Sequence, residues 1–473
     1  MYKEQMELQE VKEKYLSNKR TLLSVPGTLK TDAYVSVYDS SVHLVELTAN
    51  LGRYVSSLST NQFGGVGQVL IPNNDILGNT FLHLELPDKG SLGASYFAPQ
   101  GWGWSAIKSI SYLWGSANVS QITISGKTLW AIAMAQCDTA EKRSQLCYLG
   151  GTLSPSPDSA TSALGTPLDD ESIGTHAFIP LSLPWSVMCH GGKIGFDTAL
   201  INSPITIQIQ FASSDEFLAY GSKTDSTVLP VPKSFQTAEV VVRQQMFTNR
   251  SQSLKFQMQE DNAAVYNYPF THYQSAQFDF EAPAGGGECD VNLTNFINAD
   301  LIGMTVFMVE KSKLLGGSIN NNSSAVVKAT ALNPLDITLP SDVKLLFNGQ
   351  VLYNSPGKLY LLQNCAGLGG SGSYYSTKQD VGVAATTGAI SITNALPIVK
   401  DLLFIDFSRK HSPCFEKEYP NTFRIANQVL NLKFKMPASI ITPSAKTQYT
   451  LFASYIYNGV NSVQQGSSNL YFD

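Results

Sequence analysis

The residues that most often carry chemistry, histidine and cysteine, are scattered along this chain of 473 residues. They are His43, His83, His176, His190, His272 and His411, and Cys137, Cys147, Cys189, Cys289, Cys365 and Cys414. None of them stands at the spacing of a zinc site, and no CxxC pair occurs. His190 adjoins Cys189 and His411 is near Cys414, but a catalytic Cys–His pair meets in space rather than in sequence. We therefore predict no metal site and no cysteine nucleophile, and interpret the cysteines as reduced thiols.

A glycine-rich segment, 367–372, matches the G-x-G-x-x-G pattern of dinucleotide-binding sites. Such a site needs its glycines between a parallel strand and a helix whose N-terminal amides meet the pyrophosphate. The Ser-Tyr-Tyr-Ser-Thr that follows is a poor helix start, so we interpret the segment as a loop tip. Asp169-Asp170-Glu171 lies in a Ser/Pro/Gly loop and is interpreted as a solvated acidic tip rather than a cation site. No cofactor is predicted.

Trp102 and Trp104, in the sequence GWGW, have two interpretations. They could form a platform on which a sugar stacks, as in lectin-like jelly rolls, or they could be anchors buried beneath a loop. We favour the anchors. A carbohydrate-binding or carbohydrate-active tandem β-sandwich is the alternative function. It would need paired carboxylates across a cleft or an aromatic row, and neither is visible in the sequence.

Composition excludes several other classes. The net charge is −5, so no basic groove for nucleic acid is indicated, and we expect no sequence-specific contact with it. Charged residues make up 15% of the chain, against about 25% in typical soluble proteins, which suggests that much of the surface faces other subunits. No stretch approaches the ~20 apolar residues of a membrane helix. The charged N-terminus does not resemble a secretory signal.

The elements are overwhelmingly β from about residue 30 onward. Short runs rich in Val, Ile, Thr, Phe and Tyr alternate with polar residues and are broken by Gly, Pro, Asn and Ser. The clearest strands are Thr80–Glu85, Ile205–Phe211, Val240–Phe247, Met304–Val309, Val343–Phe347, Leu430–Lys435 and Leu451–Tyr457. Many short strands without interleaved helices indicate a sandwich or barrel. An outer-membrane barrel would instead show ten-residue alternating strands throughout and an export signal.

Two segments are predicted to be helical: residues 1–20, which are described below, and Thr128–Tyr148. Thr128–Tyr148 carries Trp130, Met134 and Cys137 at i, i+4 and i+7, and Gly150-Gly151 follows as a stop. We expect a short helix there, in a loop of the first barrel.

Four long segments between strands are polar and rich in glycine, and these are 87–104, 152–175, 313–330 and 364–389. None of them concentrates side chains that could carry out chemistry, so we expect them to serve surface display or subunit contact.

A repeat divides the chain into halves. The strand and glycine turn Gln121–Gly126 matches Lys344–Gly349, and Gly126 and Gly349 are 223 positions apart. Phe178 and Phe404 each begin an apolar run, and Ile209 and Leu432 occupy matching alternating strands. A near-constant offset with element order kept indicates a duplicated domain. We predict an arm at 1–24, a first barrel at 25–250 and a second at 251–473.

With these features the chain resembles the double jelly-roll major capsid proteins of nucleocytoplasmic large DNA viruses, virophages and smaller tailless relatives. The resemblance rests on element order: Val66–Pro72, Thr80–Pro87, the strand–turn–helix at 122–148, Phe178–Pro184 and Ile205–Phe211, then the Asn348-Gly349 turn and Phe423–Lys435. It implies an all-β fold of two tandem eight-stranded jelly-roll barrels, with a short helix in a loop of the first and a helical N-terminal arm. It implies a non-enzymatic, homotrimeric capsomer of an icosahedral virion, in contact with neighbouring capsomers, minor capsid or penton proteins and an inner membrane.

Residues 1–20 form the predicted arm. Tyr2, Met6, Val11 and Tyr15 recur at steps of four or five, between Glu and Lys residues. This apolar stripe is too narrow to hold a helix on a barrel wall, and a lone helix of this length is marginal in water. We expect the arm to become ordered only in the assembled particle, against a neighbour, a minor protein or a membrane.

Overall fold

The fold of the computed structural model is built almost entirely of antiparallel strands. The structure describes residues 44–46, 53–71, 76–87, 96–97, 101–114, 120–135, 146, 149–151, 176–181, 196–198, 201, 203–221, 232–247, 265–293, 299–311, 317–319, 338–360, 374–383, 390–400, 402–407, 423–425, 429–438, 443–464 and 467–472. The predicted arm, with Tyr2, Met6, Val11 and Tyr15, lies outside these residues and stays a prediction.

The first half of the described chain supplies one set of strands and helices. Its strands are β1 (Leu44–Glu46), β2 (Arg53–Ser57), β3 (Val66–Ile71), β4 (Ile76–Glu85), β5 (Tyr96–Phe97), β6 (Ile107–Leu113), β7 (Ser120–Ile124), β8 (His176–Leu181), β9 (Phe196–Asp197), β10 (Ile205–Phe211), β11 (Ala219–Gly221) and β12 (Thr237–Phe247). Its helices are α1 (Trp102–Ser105), α2 (Gly126–Ala135) and α3 (Ser214–Phe217).

The second half of the described chain supplies a second set. Its strands are β13 (Val265–Ala282), β14 (Gly287–Asn292), β15 (Ala299–Glu310), β16 (Gly317–Ile319), β17 (Ser341–Phe347), β18 (Gln350–Ser355), β19 (Tyr374–Val383), β20 (Ile390–Lys400), β21 (Leu403–Asp406), β22 (Phe423–Ile425), β23 (Leu430–Met436), β24 (Thr447–Gln464) and β25 (Ser467–Phe472). Strands β19 and β20 form a separate antiparallel pair. Strand β19 lies within the predicted long segment 364–389, and β20 begins directly after that segment.

The two sets form barrels of the same topology. The first barrel has one sheet in the order β2-β12-β4-β8 and another in the order β3-β10-β6-β7. The second barrel has the sheets β13-β24-β15-β21 and β14-β23-β17-β18. Along the chain, each set of eight strands visits its two sheets in the same sequence. This is the jelly-roll order, so the predicted fold of two tandem eight-stranded jelly rolls is confirmed.

Hydrophobic alternation explains why these segments form strands. In β10, the odd-numbered residues from Ile205 to Phe211 are buried, and the glutamines between Ile207 and Phe211 are less so. In β23, Leu430, Leu432 and Phe434 are buried, with lysine and asparagine between them. Because successive side chains of a strand point to opposite faces, this pattern directs one face of each sheet into a barrel core.

One of the three matched pairs behind the repeat is wrong. Strand β10 pairs with β6, and its counterpart β23 pairs with β17, so β17 corresponds to β6. The segment Gln121–Gly126, which contains all of β7 but its first residue, therefore corresponds to β18 rather than to Lys344–Gly349. Strands with alternating apolar residues match one another easily, and the sequence alone does not show which neighbour each one has. The pairs Phe178/Phe404 and Ile209/Leu432 do lie in corresponding strands.

The predicted helix at Thr128–Tyr148 begins earlier than expected. Helix α2 starts at Gly126, because the Ser125 hydroxyl accepts a hydrogen bond from the Thr128 backbone N–H at 3.1 Å and so caps the helix. Residues 136–145 lie outside the described part of the chain. The helix follows β7 of the first barrel, as expected, but it also contacts the second barrel.

Candidate functional site

Helix α2 anchors a packed contact between the two barrels. The Trp130 ring is 2% exposed and meets the Phe307 ring of β15 edge to face, with centroids 5.4 Å apart. Phe307 stacks on Phe452 of β24 at 4.9 Å, and the Lys127 ammonium lies 5.6 Å from the centre of the Phe452 ring. Such aromatic pairs each add about 0.5–1.5 kcal/mol beyond the area that they bury. Desolvation at this contact lowers the pKa of Lys127.

This contact buries the outer face of a sheet in the second barrel. Met304, Val306 and Met308 of β15 point into the second barrel's own core. Other residues of the second barrel join the core of the first barrel instead, and these are Tyr273, Phe307, Val309, Leu402, Phe404, Phe452 and Ile456. The β13-β24-β15-β21 sheet is therefore buried on both faces, and Met304–Val309 is apolar at every position except Thr305.

A small sheet makes a second connection between the barrels. Strand β16 of the second half pairs in parallel with β11 of the first, with Ala219 opposite Gly317 and Gly221 opposite Ile319. Strand β5 pairs with the other edge of β11. Strands β5 and β16 come from the predicted long segments 87–104 and 313–330, so these two segments join the barrels within one chain.

The corresponding outer face of the first barrel carries a titratable cluster. His83 Nδ1 of β4 lies 2.8 Å from Glu239 Oε1 of β12, and His83 Nε2 lies 2.9 Å from His176 Nδ1 of β8. His176 Nε2 lies 3.8 Å from Glu85 Oε1, and the Thr237 hydroxyl donates a hydrogen bond to Glu85 Oε2 at 2.5 Å. The cluster thus spans three adjacent strands. Hereafter, His83, Glu85, His176 and Glu239 are called the His–Glu cluster.

Aromatic stacking orders the histidines. The His83 ring stacks on Phe178 at 4.3 Å and lies nearly parallel to the His176 ring at 5.2 Å. The side chains of His83 and His176 are 12% and 25% exposed, respectively. Desolvation lowers the pKa of His176, although the Glu85 carboxylate opposes this and His83 adds to it. Part of this face is therefore already shielded from water within one chain.

Comparison with solved structures identifies the architecture. The chain superposes on PBCV-1 VP54, a crystal structure fitted into a cryo-EM reconstruction of the virophage Sputnik, with a TM-score of 0.59, 11% sequence identity and coverage of 91% of this chain and 97% of that chain. A chain of the Sputnik virophage cryo-EM structure matches with a TM-score of 0.52, 10% identity and coverage of 89% and 88%. The Faustovirus major capsid protein matches with a TM-score of 0.50, 8% identity and coverage of 88% and 90%.

The chain has the double jelly-roll fold. The superpositions extend over nearly the whole length of both chains, so they cover both barrels and not one alone. No protein-family model matches the sequence, and no curated protein matches it at the sequence level. At this level of identity the likeness is one of three-dimensional architecture, and it establishes the fold.

In this double jelly roll, Trp102 and Trp104 are buried anchors, as predicted. Each is 1% exposed, in helix α1 between β5 and β6. The Trp102 ring lies 6.4 Å from that of Phe235, within the core of the first barrel. A tryptophan that stacks on a sugar must present a face of its ring to solvent. These two residues cannot do so, which removes the aromatic feature that suggested carbohydrate binding.

The other predicted candidates have mixed outcomes. Segments 367–372 and 169–171 lie outside the described residues, as do His43, His190, His411 and every cysteine except Cys289. Cys289 on β14 is a free, half-buried thiol whose pKa is raised by desolvation. Within the described ranges, no three His, Cys, Asp or Glu residues are arranged to hold a metal ion. Among the same residues, no helix is both long and apolar enough to cross a membrane.

The His–Glu cluster is the feature that sequence analysis missed. His83 and Glu85 are two residues apart on β4, a spacing that places both on one face of a strand. That much is visible in the sequence. His176 lies 93 positions from His83 in the chain, and only the register of β8 against β4, with Phe178 opposite His83, brings the two histidines together.

Proposed function

We propose that this chain is a major capsid protein that self-assembles as trimeric, pseudo-hexagonal capsomers into an icosahedral virus shell. The observation that carries the proposal is the contact between two barrels of identical strand order. The first barrel contributes helix α2 to this contact, and the second barrel contributes the outer face of the β13-β24-β15-β21 sheet. Each barrel therefore offers a different surface to its neighbour, as is needed for a ring built head to tail.

This arrangement of two barrels in each chain supports a trimer. Three chains with two similar barrels each supply six similar lobes, which give the hexagonal outline that can tile a shell. This role needs no catalytic residue. The partners are other copies of the chain within the capsomer and neighbouring capsomers, with minor capsid or penton proteins and an inner membrane as further candidates. The N-terminal arm, with Tyr2, Met6, Val11 and Tyr15, is proposed as an additional assembly contact, and the protein resides in the virion.

We expect the purified protein to be a trimer in solution. Light scattering coupled to size exclusion should report about 154 kDa, which is three times the chain mass of 51.4 kDa. Obligate interfaces between subunits often bury thousands of Å², so dilution should not readily release monomers. A stable, well-folded species of 51.4 kDa at every concentration would contradict the proposal.

A further inference from the structure

The second barrel lacks the His–Glu cluster on its matching face. In the first barrel, His83 lies opposite Phe178 of β8. In the second, Thr305 lies opposite Phe404 of β21. Because the two phenylalanines begin matching apolar runs in corresponding strands, Thr305 holds the position of His83. A hydroxyl that does not titrate thus stands where the first barrel has an imidazole.

The carboxylates of the cluster are replaced in the second barrel as well. Ser454 lies opposite Thr305 and so holds the position of Glu239. Phe307 follows Thr305 by two residues on β15, as Glu85 follows its histidine on β4. A hydroxyl and a phenyl ring therefore stand in place of the two carboxylates. A jelly-roll sheet of this kind can form without ionisable groups on this face, so the fold alone does not account for the cluster.

The ionisable groups of the cluster are partly buried and compensate one another. Their side chains are between 12% and 25% exposed. Burying such groups costs free energy unless they are paired or hydrogen-bonded. Here the neighbouring side chains lie 2.8, 2.9 and 3.8 Å apart along the face, in the order Glu239, His83, His176, Glu85. Two imidazoles thus lie in a row between two carboxylates, and the row crosses from β12 over β4 to β8.

We propose that the His–Glu cluster is a pH switch within the first barrel, which holds β8 against β4 at neutral pH and loosens β8 in acid. The group that switches is the hydrogen bond between His83 and His176, because it joins a side chain of β4 to one of β8. The switch acts within a single chain. It therefore goes beyond the proposed capsid function and succeeds or fails independently of it.

The number of protons on the two rings decides whether this hydrogen bond can exist. His83 Nε2 and His176 Nδ1 are 2.9 Å apart, and a hydrogen bond between them needs one N–H and one lone pair. That arrangement is available while at least one ring is neutral. Once both rings are protonated, two N–H groups and two positive charges face each other, so the rings must separate. Strand β8 then loses its side-chain link to β4.

The groups around the pair set the direction of the effect. Glu239 on β12 faces His83, and Glu85 on β4 faces His176, so both carboxylates favour protonated rings. Ser57 on β2, opposite Glu239, adds no charge. Burial lowers the pKa of His176, Glu85 opposes this shift, and His83 adds to it. A histidine in the opened chain has its ordinary pKa of about 6.5. Because the closed form takes up the proton less readily than the opened form, the link is complete above about pH 6.5 and weakens as the pH falls below it.

The first test is hydrogen exchange of the wild-type protein at pH 7.5 and pH 5.5, corrected for the pH dependence of intrinsic exchange. We expect the amides of β8 to lose protection by about tenfold, because the uptake of one additional proton shifts an equilibrium by up to about tenfold per pH unit. Strand β21, the counterpart of β8, is the internal control and should keep its protection. Unchanged protection of β8, or an equal loss in β8 and β21, would overturn the proposal.

The second test repeats the measurement on His83→Gln and His176→Gln, at one protein concentration. Glutamine does not titrate, and its carboxamide oxygen can accept a hydrogen bond from a protonated ring. We therefore expect β8 to stay protected at pH 5.5 in both variants. His272→Gln removes a histidine of β13 outside the cluster and is the matched control, so it should respond to acid as the wild type does. Folded variants of the pair that lose as much protection as the wild type would overturn the proposal. If circular dichroism shows that neither variant folds, the comparison of β8 with β21 in the wild type decides.

Discussion

Replacing Trp130 with alanine is expected to destabilise the protein by about 3–5 kcal/mol, the range for truncating a buried large aromatic residue. Trp130 is 2% exposed and packs edge to face on Phe307, so its removal leaves a cavity between α2 and the second barrel. Denaturant unfolding followed by tryptophan fluorescence and circular dichroism, at one fixed protein concentration, measures the loss. The concentration must be fixed because association shifts the apparent stability.

Two further variants show whether this loss belongs to the contact between barrels. Trp130→Phe keeps an aromatic ring and should lose less than Trp130→Ala. Combining Trp130→Ala with Phe307→Ala should cost less than the sum of the single changes, by about 0.5–1.5 kcal/mol, because both remove the same aromatic pair. An unfolding midpoint of Trp130→Ala equal to that of the wild type would contradict the packing described for α2.

Replacing Gly126 with alanine is expected to have a comparably large effect, about 3 kcal/mol or more, through overpacking. A Cβ at this position would lie 2.5 Å from the Ile107 carbonyl oxygen and closer still to that of Trp104. These are backbone atoms, so they cannot move aside as the end of a side chain would. Helix α2 or the segment containing α1 would have to shift. The yield of soluble protein and its thermal midpoint should both fall.

Gly349→Ala is the matched control for that substitution. Gly349 has a φ of +81° in the tight turn between β17 and β18, but no atom lies within 4 Å of the position of its Cβ. Alanine there carries only the cost of a left-handed backbone, about 1–2 kcal/mol. If Gly126→Ala and Gly349→Ala had equal effects, close packing around Gly126 would not be the reason for the glycine.

Much of the fold could be predicted because its strands follow a local pattern. Strands such as β10 and β23 alternate apolar and polar residues over seven positions, and this depends on their own sequence. The strand neighbours were harder to infer. The segment Gln121–Gly126 was matched to the wrong strand of the second barrel, because the sheet partner of β7 is fixed by its hydrogen bonds with β6 and not by its composition.

The contact between the barrels was less predictable for a similar reason. The sequence of β15 indicated a strand, but it did not show that one face of that strand packs against the first barrel. Strand pairing between distant parts of the chain creates this contact, so no local sequence pattern indicates it.

Negative-stain electron microscopy of the purified protein tests the central claim most directly. Two jelly rolls of the same strand order in each chain predict particles with three-fold symmetry, six similar lobes and a hexagonal outline. Class averages of that form, from a sample of trimeric mass, are the expected result. Class averages that contain only single two-lobed chains, or rings of another symmetry, would contradict the account.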